Sequence, residues 1–462
     1  MANKKQNKLE ELLFKQESFW DLASPKEQNL SFEFAEDYKK FLNISKTERQ
    51  TIHESVKLAK KEGYKEVSLD EKLPRGNKFY FINRNKSAIF ISLGENKLSQ
   101  GIKMLMAHVD APRLDLKVRP LYEDSGLAYF KSHYYGGIKK YHWPTIPLNM
   151  VGTVVLKSGE EIEINIGDKK DDPVFLISDL LPHLDRQDVD KPKVKGEEMN
   201  IIIGSRPVNA KKAKDRVKLA ILKWLHENYK MKQVDLFAAD IRFVPSFPAR
   251  DIGFDKSMVA GYGQDDRVCV YTALQALIAS KDDNTKLLFL ADKEEIASDG
   301  STGAKSLFLD NILEYLLYET NTPLSVNDLF RKSQAISADT TGAFDPDYKD
   351  KQDISNAVNL GQGVVIEKHA GCGGKYYTID AEPQFIRQII NLFDKKKVVW
   401  QTGHMGKIDQ GGGGTLAIYL ANRNIEVIDI GVALLNLHSP YELASKADIY
   451  SAYRGYQAFL EN

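Results

Sequence analysis

Apolar residues in this chain come in short runs of Val, Ile, Leu and Phe, and between those runs the spacing switches to that of amphipathic helices. Strands so uniformly apolar are buried on both faces, which requires a sheet covered by helices, so the pattern predicts an α/β fold with a central mixed sheet. The predicted strands are 103–107, 286–291, 335–338, 398–401 and 427–437, and the predicted helices include 268–280 and 440–460.

From about 113 to 233 the texture changes. Segments 152–157 and 161–166 alternate in the manner of strands, and a charged loop follows over 185–198. This predicts a smaller β-rich domain, 113–233, inserted into an α/β domain built from 1–112 and 234–462, and a chain of 462 residues suits that division.

Charge and composition narrow the classes of function. Lysine plus arginine equal aspartate plus glutamate at 64 each, so no bulk attraction to nucleic acid or to an anionic membrane is expected. The apolar runs fall well short of the ~20 residues that a membrane span needs. The N-terminal twenty residues mix charge into their apolar positions, which argues against a secretion signal and for an amphipathic surface helix. Cys269 and Cys372 are too few for a disulfide framework or a thiolate metal site, and together these features point to the cytoplasm.

In α/β sheets functional residues gather where strands end. Here the runs deliver His108-Val109-Asp110, then Asp292-Lys293-Glu294-Glu295, Asp339 and His438, while Asp265-Asp266 stands directly before a helix. Taken singly, each has an ordinary explanation: a surface histidine, a helix N-cap, a solvated acidic pair. Together, two histidines and three carboxylates form the mixed nitrogen and oxygen set that suits zinc, with cobalt or manganese as alternatives, whereas calcium sites use oxygen alone. One carboxylate can bridge two ions. Asp110, two residues beyond His108, can accept the proton of the non-ligating ring nitrogen and fix its tautomer.

The set resembles the M18 aminopeptidases, of which the aspartyl aminopeptidases are the best known. The resemblance rests on Ala107-His108-Val109-Asp110-Ala111-Pro112, Gln264-Asp265-Asp266-Arg267, Glu294-Glu295-Ile296, Ser337-Ala338-Asp339 and Leu437-His438-Ser439-Pro440, in family order across nearly the whole chain. It implies hydrolysis of peptides with a free N-terminus by two divalent ions per subunit. Asp265 bridges them, His108 and Asp339 hold one, Glu295 and His438 hold the other, and Glu294 is the general base. It also implies that the insertion, with Tyr135-Gly136-Gly137 and Leu181-Pro182-His183-Leu184, is a dimerisation domain, and that dimers close into a dodecamer.

The chain departs from the family pattern at several positions. Asp266 replaces a common asparagine, and Thr340-Thr341-Gly342 replaces a histidine-bearing segment. A histidine that reaches the neighbouring subunit's site aligns with Gln187, leaving His183 as the nearest substitute. Acid-specific members carry a lysine where this chain has Glu367, so the sign of the charge predicts basic or neutral N-terminal residues in place of acidic ones; Lys368 or Lys375 is the alternative source of a positive charge. Asp266 is a candidate for the substrate's amino group. The run Gly411-Gly412-Gly413-Gly414-Thr415 lacks a Walker lysine, and Gly411 and Gly412 are candidates for close backbone approach to substrate. The rival readings are a related co-catalytic metal deacylase or carboxypeptidase, and an inactive scaffold that keeps the fold.

Overall fold

Lys286–Ala291 is buried at all six positions, and it lies inside a nine-stranded sheet. The structure is a computed structural model describing residues 12–95, 98–184, 194–281 and 283–462. At the centre of the sheet Lys286–Ala291, Lys103–His108, Gln334–Ser337 and Glu426–Gly431 run parallel side by side. Antiparallel neighbours flank them: Ser87–Ser92 on one side, Val364–Glu367 on the other. Parallel strands that are neighbours in space and distant in sequence need helical crossovers, and these bury both faces. The helices Gln264–Ala279, Phe308–Glu319, Pro383–Lys396 and Lys446–Leu460 contribute apolar residues to the same core. The sheet is mixed, as the sequence predicts.

A second, entirely antiparallel sheet of seven strands has its own apolar core, which includes Leu114, Phe130, Trp143, Ile201 and Phe243. It opens with Arg113–Asp124 and takes in Ala239–Pro245, a strand beyond the span 113–233. A third sheet of five short strands contains Thr341–Gly342, Ala433–Leu435, Glu442–Ser445 and Met258–Gly261.

Three elements differ from expectation. The single strand predicted over 427–437 is two, Glu426–Gly431 in the central sheet and Ala433–Leu435 in the third, because the chain changes sheets at Val432. The helix predicted from 440 begins at Lys446; the residues before it, Glu442–Ser445, pair on both sides as a strand, and a four-residue stretch is too short for periodicity to separate the two. Near the N-terminus no helix spans 12–18, and among the described residues the first helical turn is Phe19–Leu22. The rest of that predicted helix, and 185–193 of the charged loop with Gln187, lie outside the described residues.

One buried charge joins the α/β unit to the second sheet. Glu48 opens the helix Glu48–Lys61, is fully buried, and accepts from both Nε and Nη2 of Arg242, with Arg113 Nη1 at 3.8 Å and Lys86 Nζ at 3.5 Å. Burial pushes this carboxyl up, but Arg242 and its neighbouring cations outweigh burial and hold it well below the usual range. Removing one partner of such a group leaves buried charge uncompensated, at a cost of about 3–5 kcal/mol. Glu48→Gln is therefore expected to lower the thermal unfolding midpoint by several degrees at neutral pH, and to narrow the difference from wild type as acid protonates Glu48. An unchanged midpoint would show that this contact does not hold the two units together.

Candidate metal centre

The central strands bring their ends to one place. His108 closes Lys103–His108, Asp292 and the turn Glu294–Ile296 follow Lys286–Ala291, and Asp339 follows Gln334–Ser337. Asp265 sits at the start of Gln264–Ala279 with non-helical backbone angles, and His438 lies in the turn after Ala433–Leu435. This is the carboxyl edge of the parallel strands, where ligands of α/β proteins bind.

Asp265 stands between the two histidines. Its Oδ1 is 3.1 Å from His108 Nε2, and its Oδ2 is 3.2 Å from His438 Nε2. Asp339 Oδ1 is 3.8 Å from His108 Nε2, Glu295 Oε2 is 3.6 Å from His438 Nε2, and Glu294 Oε2 is 4.0 Å from His108 Nε2. The five expected ligands and Glu294 are thus in one cluster. Asp266 is close by but fully buried; its Oδ2 accepts from the backbone N–H of His108, and it lies within 4.8 Å of ligand atoms of His108 and Asp339.

Hydrogen bonding fixes both imidazoles. Nδ1 of His438 lies 2.8 Å from the Gly137 carbonyl, which can only accept, so Nδ1 carries a proton; against burial, Asp265 and then Glu295 raise this imidazole to about 10, so Nε2 donates to Asp265 and is the nitrogen left to a cation once that proton goes. Nδ1 of His108 is 3.0 Å from the backbone carbonyl of Asp110 and 3.4 Å from its carboxylate, so the carbonyl is the closer acceptor for the proton that the sequence assigned to the side chain. The Asp110 carboxylate instead accepts from the backbone N–H groups of Glu294 and Glu295 and from Tyr135 Oη.

Sequence reading missed Glu442. Fully buried, it accepts from the backbone N–H of Asp265 at 3.1 Å and of His438 at 2.8 Å, and burial raises it to about 8. Its only signal was an acidic residue in an otherwise apolar stretch.

The donor set fits zinc. Burial, reinforced by neighbouring carboxylates, pushes Glu295 and Asp339 well above the carboxylate range, and Glu295 Oε1 is buried with no hydrogen-bond partner. Crowded, under-neutralised oxygens beside two oriented imidazoles are what a divalent cation relieves.

The cluster opens into a cavity of about 810 Å³ whose walls include Glu294, Glu367, Tyr377, Gly411 and Gly412. Gly412 has φ +115°, and a Cβ there would meet the Gly371 carbonyl at 1.7 Å, so the glycine run packs edge to edge with the 371 loop as only glycine can. Glu367 is buried within this wall; its Oε1 accepts from Thr341 Oγ1 at 2.9 Å, and its cross-strand partner is Asp429. Burial and then Asp429 raise Glu367 to about 8. Both Asp429 oxygens lack a partner in bonding geometry, and burial raises this carboxyl to about 6, although the Thr415 and Ser337 hydroxyls are near enough to oppose the rise. Lys368 and Lys375 are both paired with Asp380.

This arrangement has close relatives. Residues 41–460 match the family described as aminopeptidase I zinc metalloprotease (M18). The chain is 42% identical to the probable M18 family aminopeptidase 1 of Clostridium acetobutylicum, over 98% of this chain and 99% of that protein. The crystal structure of an M18 aminopeptidase from Thermotoga maritima, 40% identical, superimposes with a TM-score of 0.93 over 97% of this chain and all of that one. The S. cerevisiae mApe1 dodecamer shares the fold at 20% identity, with a TM-score of 0.76 over 94% of this chain and 97% of that one. With the motifs, the fold and the cluster of metal-binding residues all in agreement, this chain belongs to the M18 family of zinc metallo-aminopeptidases.

Proposed function

We propose that this aminopeptidase holds two divalent ions, one by His108, Asp265 and Asp339, the other by His438, Asp265 and Glu295. The observation that carries the reading is Asp265, whose two oxygens face the two histidines separately at 3.1 and 3.2 Å. When bound, the ions supply Lewis acidity to the scissile carbonyl and to the attacking water. Glu294 takes the water's proton and passes it to the leaving amine, because its carboxylate faces the cavity while Asp110 pins its backbone. A deacylase or carboxypeptidase would share much of this ligand set, and hydrolysis of a free but not an N-blocked peptide separates those activities from this one. An inactive scaffold is disfavoured by the intact ligand set and base.

The unit built around the second sheet is the proposed surface for pairing subunits, since its strand Leu176–Ile177, its loops and its helix Arg216–Tyr229 expose Val174, Leu176, Leu180, Leu181 and Trp224. Closure into a dodecamer follows the yeast structure. His183, exposed at the turn beside Leu181, remains the candidate to reach a neighbouring site. Among the described residues no helix is long and apolar enough to cross a membrane. With Cys269 and Cys372 both unpaired, a reducing compartment, the cytoplasm, is the proposed location.

Basic or neutral N-terminal residues are the proposed substrates. Glu367 lies in the wall of the substrate cavity with the buried Asp429 across the strand from it, and among the described residues neither forms an ion pair, although Lys375 and Lys407 line the same cavity; a lysine or arginine side chain of the substrate supplies the missing charge. The anionic form binds the cation, and burial holds Glu367 near 8, so preference for a basic residue should strengthen as pH rises towards about 8.

Exhaustive chelation is expected to abolish hydrolysis, with zinc, cobalt or manganese restoring it at two equivalents per chain; saturation at one equivalent would remove the second ion. Glu294→Gln should retain both ions yet lose about 10²–10⁴-fold in kcat, since that is the usual contribution of a general base. Near-normal turnover would take Glu294 out of that role. For specificity, kcat/KM for matched Arg, Lys, Leu, Ala, Asp and Glu substrates should favour Arg or Lys over Asp and Glu, increasingly so towards pH 8, and Glu367→Lys should reverse the ranking. An unchanged ranking in the variant would show that Glu367 does not set it.

A further inference from the structure

The second sheet ends at the metal centre. Its strand Leu127–Tyr135 runs into Gly136-Gly137, and these three residues touch both halves of the ligand cluster. Tyr135 Oη donates to Asp110 Oδ2 at 2.8 Å, and the same carboxylate accepts from the backbone N–H of Glu294 at 3.1 Å and of Glu295 at 3.2 Å. The Gly137 carbonyl accepts from His438 Nδ1 at 2.8 Å. Between them Gly136 lies against Glu295: at φ +73°, a Cβ there would stand 3.0 Å from Glu295 Oε2. Tyr135 is itself immobilised, since it is buried and the Arg113 guanidinium stacks 3.7 Å from its ring centroid.

From this we infer that Tyr135-Gly136-Gly137 is a positioning segment for the metal centre, so that a sheet outside the α/β core sets zinc affinity and ligand geometry directly. The inference rests on the ligand assignment proposed above. The physical reason is that a ligand's orientation depends on the group that holds its far side. With the Tyr135 hydroxyl gone, Asp110 loses one of the three donors that hold its carboxylate in place and is freer to rotate away from the two glutamate N–H groups. The Gly137 carbonyl does the corresponding work for His438 by fixing its tautomer. Tyr135, unlike Gly137, does not line the cavity, so loss of its hydroxyl should fall on metal binding and on turnover and spare substrate affinity.

The test uses the full-length protein and Tyr135→Phe, which keeps the ring over Arg113 and removes one hydroxyl. Zinc affinity, measured by competition with a chromophoric chelator, is expected to weaken by about 10–100-fold, the range seen when second-layer partners of metal ligands are removed. At saturating zinc, kcat should fall while KM changes by less than about twofold, and the visible spectrum of the cobalt-loaded variant should differ from that of wild type. Gly136→Ala provides the second arm and should also weaken zinc binding, by crowding Glu295. Tyr134→Phe, at an exposed neighbour that faces away, should match wild type. Tyr135→Phe that melts earlier but binds zinc as wild type does, with an unaltered cobalt spectrum, would reduce Tyr135 to a packing role and overturn the inference alone. Wild-type protein that binds no zinc would overturn the ligand assignment together with it.

Discussion

Asp110, Asp266 and Glu442 accept five backbone N–H groups between them, and those groups belong to His108, Asp265, Glu294, Glu295 and His438. A strand end fixes where a ligand's Cα sits but leaves the following loop free to turn. Such hydrogen bonds contribute about 0.5–1.5 kcal/mol each, and about 1.5–3 kcal/mol where the acceptor is charged, as Asp110 is, enough to settle which way each loop turns. The acids that organise the site therefore outnumber the bases near it. Burial raises Glu442 and Glu367 to about 8, so these acids keep their protons at neutral pH until a cation of metal or substrate favours the charged form.

This layering explains what the sequence disclosed. His108, Glu294, Glu295 and Asp339 were legible because each follows a fully apolar run, and in a parallel sheet the chain must deliver such residues to the same edge. The bridging position of Asp265 came from resemblance, and the separate approach of its two oxygens to two histidines is a fact of three dimensions. Glu442 was illegible for a different reason: its partners are backbone groups, which every residue has, so no pattern of side chains marks it. The contact of Gly137 with His438 spans the chain and depends on how two sheets meet, which periodicity within either does not encode.

The fold was readable where elements are long. Lys286–Ala291 and Glu161–Ile166 stand as predicted, because an unbroken apolar run and a strict alternation are unambiguous signals. Short elements deceived. Glu442–Ser445 carries spacing compatible with a helix, and its strand pairing comes from edges that Met258–Gly261 and Ala433–Leu435 offer it. The break at Val432 left no trace, since Ile430 before it and Ala433 after it are apolar and the chain stays buried while it changes sheets.

That change of sheets has a consequence for how the sequence can vary. Gln334 to Ser337 pair in order with Glu426 to Asp429, and beyond the switch Thr341 and Gly342 pair with Ala433 and Leu434 at the same sequence offset. The two segments thus run in step through both sheets, one carrying Asp339 and the other leading to His438. Adding a residue to either alone would shift one partner by ~3.3 Å and break register on one side. Insertions and deletions in these stretches must therefore arise in compensating pairs. Among the described residues the loops 345–357 and 368–382 bond to neither segment, so the walls of the cavity can lengthen or shorten while the separation of Asp339 from His438 stays unchanged.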